Sequence, residues 1–491
     1  MLFLLAIFVP FIEGIVISSV RVGDRFRSVL YAGAVILADL AAVLAALNGT
    51  TIRLAALSEG VEIIFTADTL GKCFLAVTLL LYTCVLFYSF EYMKMEERIP
   101  SFYLFYFISM GTLIAECFAG NLVTMYLSFE FLTLSSMPLV LHERTKEAVA
   151  AGLKYLFYSI AGALMGLLAV FFIYQYTAGD GRFVFGGFLS DALLQGHEKV
   201  LLAVTMAGII GFGTKAGLYP MHGWLPTAHP IAPAPASALL SGIVAKAGVI
   251  AIIRVVYFAV GPDRIRGTWV QTAWMTLCLL TIFMGSMMAF REKIMKKRLA
   301  YSTISQISYI LLGLSFLSDE GLRGGLLHLM SHAVSKGCLF LVAGVFIYKL
   351  GVRNVADLKG VGKRMPVTLW CFTIAALSLV GIPPMGGFLS KWVIASSAIG
   401  SGIPVYAVLA PVVLLISALL TAGYLLPITV DGFFPGHAES AHGHGGAKEA
   451  EEEALPSAEP TVCMTIPMMC LCAAALVMGL FGTQILSAFG I

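Results

Sequence analysis

The stretch KAGLYPMHGWLPTAHPIAPAPASALLSGIVAKAGVIAIIR, residues 215–254, combines features that water-soluble chains keep apart. It opens on a lysine at the end of one apolar run and breaks at once with Gly217 and Pro220. A second apolar run, 234–258, then holds Lys246 in its interior. About 20 apolar residues cross a bilayer as a helix. In hydrocarbon, backbone groups freed by Gly and Pro survive only inside protein or along a water-filled cavity. A charge at that depth costs about 2.5 to 3.5 kcal/mol by insertion scales, so it needs a compensating reason. The stretch reads as two membrane helices, the first discontinuous, beside a polar path.

The pattern extends in both directions. The chain has 491 residues, 59% of them apolar and only 12% charged, against roughly 25% charged in soluble domains. A soluble enzyme is excluded. Apolar runs of bilayer length lie near 1–20, 28–47, 69–90, 100–119, 121–141, 148–176, 198–219, 234–258, 269–290, 299–317, 322–348, 366–398, 404–430 and 461–488. That predicts an all-α polytopic membrane protein of about 14 spans, with no segment left for a soluble domain. The first span has no basic n-region and no small-residue cleavage site before Arg21, so it reads as a retained helix. Loops after odd-numbered spans hold 18 Lys and Arg, those after even-numbered spans six. This asymmetry puts the odd loops in the cytoplasm and both termini outside, in a multi-pass protein of the cell membrane.

Other function classes find no support. A formal charge of +3 is too small to suggest nucleic-acid binding. Nine cysteines form no C-x-x-C pair, so no metal, cluster or disulfide framework is expected. GFGTKAG at 211–217 lacks dinucleotide spacing and GVGKR at 360–364 is no P-loop, so no cofactor is expected either. The compositionally foreign insert HAESAHGHGGAKEAEEEALPSAE, 437–459, fits no tight metal site and reads as a solvated cytoplasmic loop.

At least five ionisable groups fall inside spans, among them Glu130, Lys215, Lys246, Lys336 and Lys391. Lys391 follows Gly381, Pro383, Pro384, Gly386 and Gly387, a second break, in span twelve. Discontinuous helices 7 and 12, one in each half, point to an internal repeat with its ion path at mid-membrane. In span eleven His328, His332 and Lys336 recur every four residues and share one helix face. Ser302, Thr303, Ser305, Gln306 and Ser308 of span ten supply a hydroxyl and amide wall beside it. Arg254, Lys72 and Lys154 lie near span ends, where long side chains snorkel to the headgroups. Glu116 and Asp39 are divided evenly between packing and function.

The run at 215–254 resembles the signature of the antiporter-like subunits shared by respiratory complex I, energy-converting membrane hydrogenases and Mrp-type cation/proton antiporters. KRLAYSTISQISYILLG at 297–313, HLMSHAVSKGCLFL at 328–341 and GIPPMGGFLSKW at 381–392 follow in the same order. The resemblance implies two inverted five-helix repeats, at 99–258 and 269–430. Three helices precede them within 1–98, the 431–460 loop follows, and a last helix occupies 461–491. By motif match Glu130 and Lys215 are similar to the family's coupled acid and lysine, Lys246 to its connecting lysine, and Lys391 to its terminal one. His332 and Lys336 fall on the central axis. A lysine at 391 favours the complex I N-type or Mrp D-type branch, and no long lateral helix follows span fourteen.

The expected mechanism passes protons from Lys215 along water to Lys246, through His328, His332 and Lys336, to Lys391. Glu130 sets whether Lys215 holds its proton. The expected partners are other membrane subunits, with or without a peripheral redox arm, the bilayer, and protons with or without Na+. No redox centre is expected on this chain, which would be a non-redox subunit of a translocase. A stand-alone anion transporter would gather its charges around one pocket, and a structural subunit would use them only for packing. The charges lie instead as a line over five spans.

Overall fold

The computed structural model describes residues 1–20, 24–58, 61–177, 179, 181–435 and 457–491. Among the described residues the long helices follow the fourteen expected spans: α1 (Leu2–Ser19), α2 (Asp24–Asn48), α3 (Thr69–Tyr92), α4 (Ile99–Cys117), α5 (Leu122–Val140), α6 (Lys146–Gln175), α7a (Glu198–Ala216) with α7b (Leu225–Ile231), α8 (Ala234–Val260), α9 (Trp269–Arg291), α10 (Met295–Ser315), α11 (Asp319–Leu350), α12a (Pro366–Val380) with α12b (Gly386–Gly400), α13 (Pro404–Phe433) and α14 (Val462–Ala488). Twelve of these are long and apolar enough to cross a membrane unaided. The other two crossings explain themselves. The α10 helix carries the polar wall and a basic first turn, and the α12 crossing is split into two 15-residue halves.

Loop packing fixes alternation. Odd loops bond to odd loops at one end: Met295 N–H to the Arg353 carbonyl, Gly360 to Asp431, Ala458 to Arg364. Even loops meet at the other end: Thr66 N–H to Phe118 and Phe183 N–H to Gly120. Apolar side chains such as Phe157 (71% exposed) and Leu419 (74% exposed) face outward, as a lipid-embedded surface requires.

Two findings depart from the sequence reading. The connection between α2 and α3 is an antiparallel pair, β1 (Thr51–Ser58) and β2 (Val61–Thr66), pairing Thr51 with Thr66 and Ile52 with Phe65. Asn121 anchors it, donating from Nδ2 to the Glu62 carbonyl (2.7 Å). The α10 helix starts at Met295, so part of the basic run assigned to a loop is helical, and Lys296 is only 4% exposed. The insert at 437–459 lies up to residue 456 outside the described residues. Glu459 accepts from Val367 N–H (2.6 Å) and Thr368 Oγ1 (2.7 Å) in the first turn of α12a, where a carboxylate also opposes the helix dipole favourably.

The two halves of α12 touch closely. A Cβ on Gly387 would lie 1.7 Å from the Ser378 carbonyl oxygen, and backbone cannot yield as a flexible side chain does. Gly387→Ala is expected to cost about 2 to 3 kcal/mol by overpacking, read as a lowered thermal midpoint of the detergent-solubilised protein. Gly400→Ala, with nothing within 4 Å, is the matched control that should leave the midpoint in place.

Candidate functional site

Each broken helix exposes carbonyls that its missing turn would have used. The α7a helix ends on Gly217, whose φ of +82° suits glycine. The indole of Trp224 donates to the Thr214 carbonyl freed there (2.9 Å). The α12a helix ends on Gly381, with φ of +92°. Here the freed carbonyls of Leu379 (2.5 Å) and Val380 (3.0 Å) both accept from Lys391 Nζ. The second break therefore holds an ammonium where a helix C-terminus favours positive charge.

The first cluster centres on Lys215, which is 1% exposed. Its Nζ donates to Thr133 Oγ1 (2.7 Å) and to the Phe129 carbonyl (3.3 Å), and sits 4.2 Å from the centroid of the Phe129 ring. Glu116 and Glu130 are the carboxylates that act on it electrostatically. Among the described residues neither forms an ion pair with it. Glu130 instead accepts from the Tyr126 hydroxyl (3.0 Å) and is half-buried. Glu116 is fully buried with both oxygens unpartnered. Sequence reasoning had no means to rank Glu116, since its environment comes from helices distant in the chain.

The second cluster runs from Lys246 to Lys391. A π-helical turn at Leu240–Val244 widens α8, and Lys246 Nζ donates to the Ser241 carbonyl there (2.7 Å). The Ser241 hydroxyl meets Thr303 Oγ1 (2.7 Å), and Thr303 donates to the Leu299 carbonyl (2.9 Å). That same carbonyl accepts from Lys336 Nζ (3.0 Å). One turn along α11, His332 is fully buried with both ring nitrogens unpartnered, stacked 6.0 Å from His328. His328 bonds through Nε2 to Gln306 Oε1 (3.1 Å) and through Nδ1 to Ser390 Oγ (2.8 Å). Ser390 precedes Lys391, whose Nζ lies 5.0 Å from the Tyr309 centroid.

The structure thus sets Lys246, Lys336, His332, His328 and the half-buried Lys391 in one succession, with hydrogen bonds linking Lys246 to Lys336 and His328 to Ser390 but none reaching His332. No direct hydrogen bond joins Lys215 to that succession. The expected wall on α10 contributes only Thr303 and Gln306 to this axis. Ser302 meets Tyr424 (2.7 Å), and Ser305 meets Ser286 (2.8 Å), so those two hydroxyls knit α10 to α13 and α9.

Arg254 does not snorkel. It is fully buried, paired with Asp68 through both terminal guanidinium nitrogens, Nη1 and Nη2 (Nη2 to Oδ1, 2.8 Å), and stacked near Phe183 and Phe258. Asp68 also caps α3 by accepting from Gly71 N–H (2.8 Å). Lys154 reaches Thr227 Oγ1 (2.9 Å) from an exposed position. Among the described residues no group of three or more His, Cys, Asp or Glu could hold a metal ion.

Comparison with known proteins places this geometry. The family model described as "NADH:quinone oxidoreductase/Mrp antiporter, TM" matches residues 119–421. The chain is 34% identical over 395 residues to NADH-quinone oxidoreductase subunit N of Desulforudis audaxviator, covering 79% of this chain and 75% of that one. It is 33% identical over 335 residues to hydrogenase-4 component B of Escherichia coli, covering 65% of this chain but only 48% of that longer protein. In three dimensions it resembles a chain of the Mrp complex from Dietzia sp. DQ12-45-1b, with a TM-score of 0.81 and 24% identity, over 100% of this chain and 96% of that one. The family match takes in both broken helices and, among the described residues, all four buried lysines, Lys215, Lys246, Lys296 and Lys336, and the chain belongs to the NADH:quinone oxidoreductase/Mrp antiporter family of membrane subunits.

Proposed function

We propose that this chain moves protons, or exchanges protons for another cation, across the cytoplasmic membrane as one subunit of a larger membrane complex. The observation that carries the reading is the succession of basic side chains from Lys246 to Lys391 through the protein interior, hydrogen-bonded from Lys246 to Lys336 and from His328 to Ser390, with His332 between the two segments. Buried charges of one sign have no packing rationale, because each adds a desolvation cost and repels the next. A line of proton-exchanging groups gives them one. The proton route runs from Lys215 to Lys246, through Ser241 and Thr303 to Lys336, along His332 and His328, and past Ser390 to Lys391. Glu116 and Glu130 govern Lys215, and α5, which carries both of its hydrogen-bond acceptors, is the element whose shift would change that control. The basic odd loops face the cytoplasm and both termini face outward. The five-helix halves 99–258 and 269–430 act as inverted repeats, each contributing one break.

The drive comes from neighbouring subunits. Relatives of this chain are named as parts of a quinone reductase and of a hydrogenase, and either kind of assembly suits a chain that carries only ion-path chemistry. A lysine rather than an acid at 391 also fits a D-type antiporter subunit, and the co-purifying subunits decide between the two: iron-sulfur or flavin proteins mean a redox pump, small membrane subunits alone an antiporter. The test of transport itself is Lys336→Met in the whole complex. Proton movement in everted vesicles is expected to fall about tenfold, because Lys246 and His332 remain on either side of the gap and leave a slower path. Wild-type transport in that variant would refute the route.

A further inference from the structure

The two breaks hold their lysines differently. At the second, Lys391 Nζ donates to the Leu379 and Val380 carbonyls of its own crossing, so α12 sets the position of its own lysine. At the first, both acceptors of Lys215 Nζ lie on another helix, α5. The turn that carries Lys215 is fixed from a further direction. Trp224, fully buried just ahead of α7b, donates from its indole to the carbonyl of Thr214, the residue before Lys215 (2.9 Å). Its ring centroid lies 4.7 Å from that of the fully buried Tyr155 on α6. The Tyr155 hydroxyl in turn meets Ser136 Oγ (2.7 Å), one turn along α5 from Thr133. These contacts close a ring through Lys215, Thr133, Ser136, Tyr155, Trp224 and Thr214. On its far side α6 and α7a touch by backbone. A Cβ on Gly162 would lie 2.5 Å from the Gly211 carbonyl oxygen and 2.6 Å from Thr214 Cβ, so only a glycine lets α6 sit against that turn. Into this fixed pair α5 connects by hydrogen bonds, at Thr133 and Ser136.

We propose that Trp224 and Tyr155 are positioning residues that hold the Lys215 turn in place against α5, so that a shift of α5 is felt at Lys215 as a change of hydrogen bonds. Neither carries a proton. The bond from Tyr155 to Ser136 sets the resting place of α5, and the bond from Trp224 to Thr214 keeps α7a from following when α5 leaves it. With the turn held, a displacement of α5 by about 1 Å takes the 2.7 Å bond between Lys215 and Thr133 out of hydrogen-bond range. Without the hold, the turn travels with α5 and the lysine keeps its acceptors. Packing alone asks only that a buried indole find some acceptor, and it leaves unexplained a ring that begins and ends on adjacent residues. The inference rests on the reading that α5 controls Lys215.

The test uses the whole complex in everted vesicles, energised through its own partner subunits, with proton movement measured per assembled complex. Trp224→Phe keeps an aromatic ring against Tyr155 and removes the indole N–H. Tyr155→Phe removes only a hydroxyl, and Thr133→Val keeps the side-chain shape while removing the acceptor of Lys215. Each is expected to lower the rate about tenfold. Because all three cut one ring, any two together are expected to run within about twofold of the slower single variant. Trp274 on α9 is also fully buried, and its Nε1 has no partner. Trp274→Phe therefore removes a similar ring volume without a hydrogen bond, and is expected to stay within about twofold of the wild-type rate. Losses that multiply in the double variants, to about a hundredfold, mean separate packing roles and overturn the proposal. Equal losses in Trp274→Phe and Trp224→Phe overturn it too. Wild-type rates in Trp224→Phe and Tyr155→Phe beside an impaired Lys215→Met overturn the positioning role and leave the role of Lys215 standing. Where one variant fails to assemble, the pair formed by the other two decides. Wild-type transport in Lys215→Met removes the control of Lys215 and its positioning together.

Discussion

Lys215→Met is expected to lower proton movement by about a hundredfold, equal to about 2.7 kcal/mol at the transfer step, while the protein still assembles. The expectation follows from what holds Lys215. Both of its hydrogen bonds run to α5, at Thr133 and Phe129, and two carboxylates, Glu116 and Glu130, act on it. No direct hydrogen bond from another basic group bypasses it. Methionine has nearly the same length and lacks the charge, so it fills the space while removing a desolvation cost. The hydroxyl and backbone carbonyl that held the ammonium have partners on their own helix, Thr133 Oγ1 donating to the Phe129 carbonyl (3.3 Å), and the buried Glu116, which then loses its neighbouring cation, can take up a proton. Stability should therefore hold within about 1 kcal/mol, and loss of transport at wild-type protein level separates a transport role from a structural one. Glu130→Gln and Glu116→Gln then ask which acid controls the lysine. A loss in Glu116→Gln as large as in Glu130→Gln would move the control to the fully buried carboxylate that the sequence left undecided.

The crossings were readable from the sequence because bilayer length and hydrophobicity are local properties. Both breaks were readable because Gly217 with Pro220, and Gly381 with Pro383 and Pro384, act on their own helix. The four-residue spacing of His328, His332 and Lys336 likewise needs only helix geometry. What stayed hidden depends on other helices. Lys296 sits in a run of lysines and arginines whose local reading is a loop, and only the packing of α7b against α10 buries it. Trp224 is one aromatic residue in a proline-rich connection, with no periodicity to mark it. Arg254 lies four residues, about one helical turn, from the expected span end at 258, where snorkelling is the ordinary expectation. The β1–β2 pair has short, weakly alternating strands between two much stronger apolar signals. Hydroxyls on α10 were legible as a polar wall, yet which of them face the axis depended on α9 and α13.

Asp68→Asn is expected to destabilise the protein by about 4 kcal/mol, the largest loss of stability of any single change considered. The guanidinium of Arg254 is fully buried, and Asp68, with its side chain 27% exposed, is its ion-pair partner. Removing the carboxylate strands that charge between Phe183 and Phe258, whose faces supply only part of its solvation. The asparagine still caps α3, because its side-chain oxygen can accept from Gly71 N–H, so the cap is not what is lost. The reverse change is milder. Arg254→Met leaves a partly hydrated Asp68 that keeps its cap, and should cost about 2 kcal/mol. Combining the two removes both charges from the interface of α3 and α8, and the pair should be less destabilised than the sum of the singles by about 2 kcal/mol. Thermal midpoints of the four proteins in one detergent give that cycle directly. Strict additivity would mean that the pair is incidental. Coupling of the expected size would show that it clamps α8 to α3 at the even-loop end, holding Lys246 in register with α10 and α11.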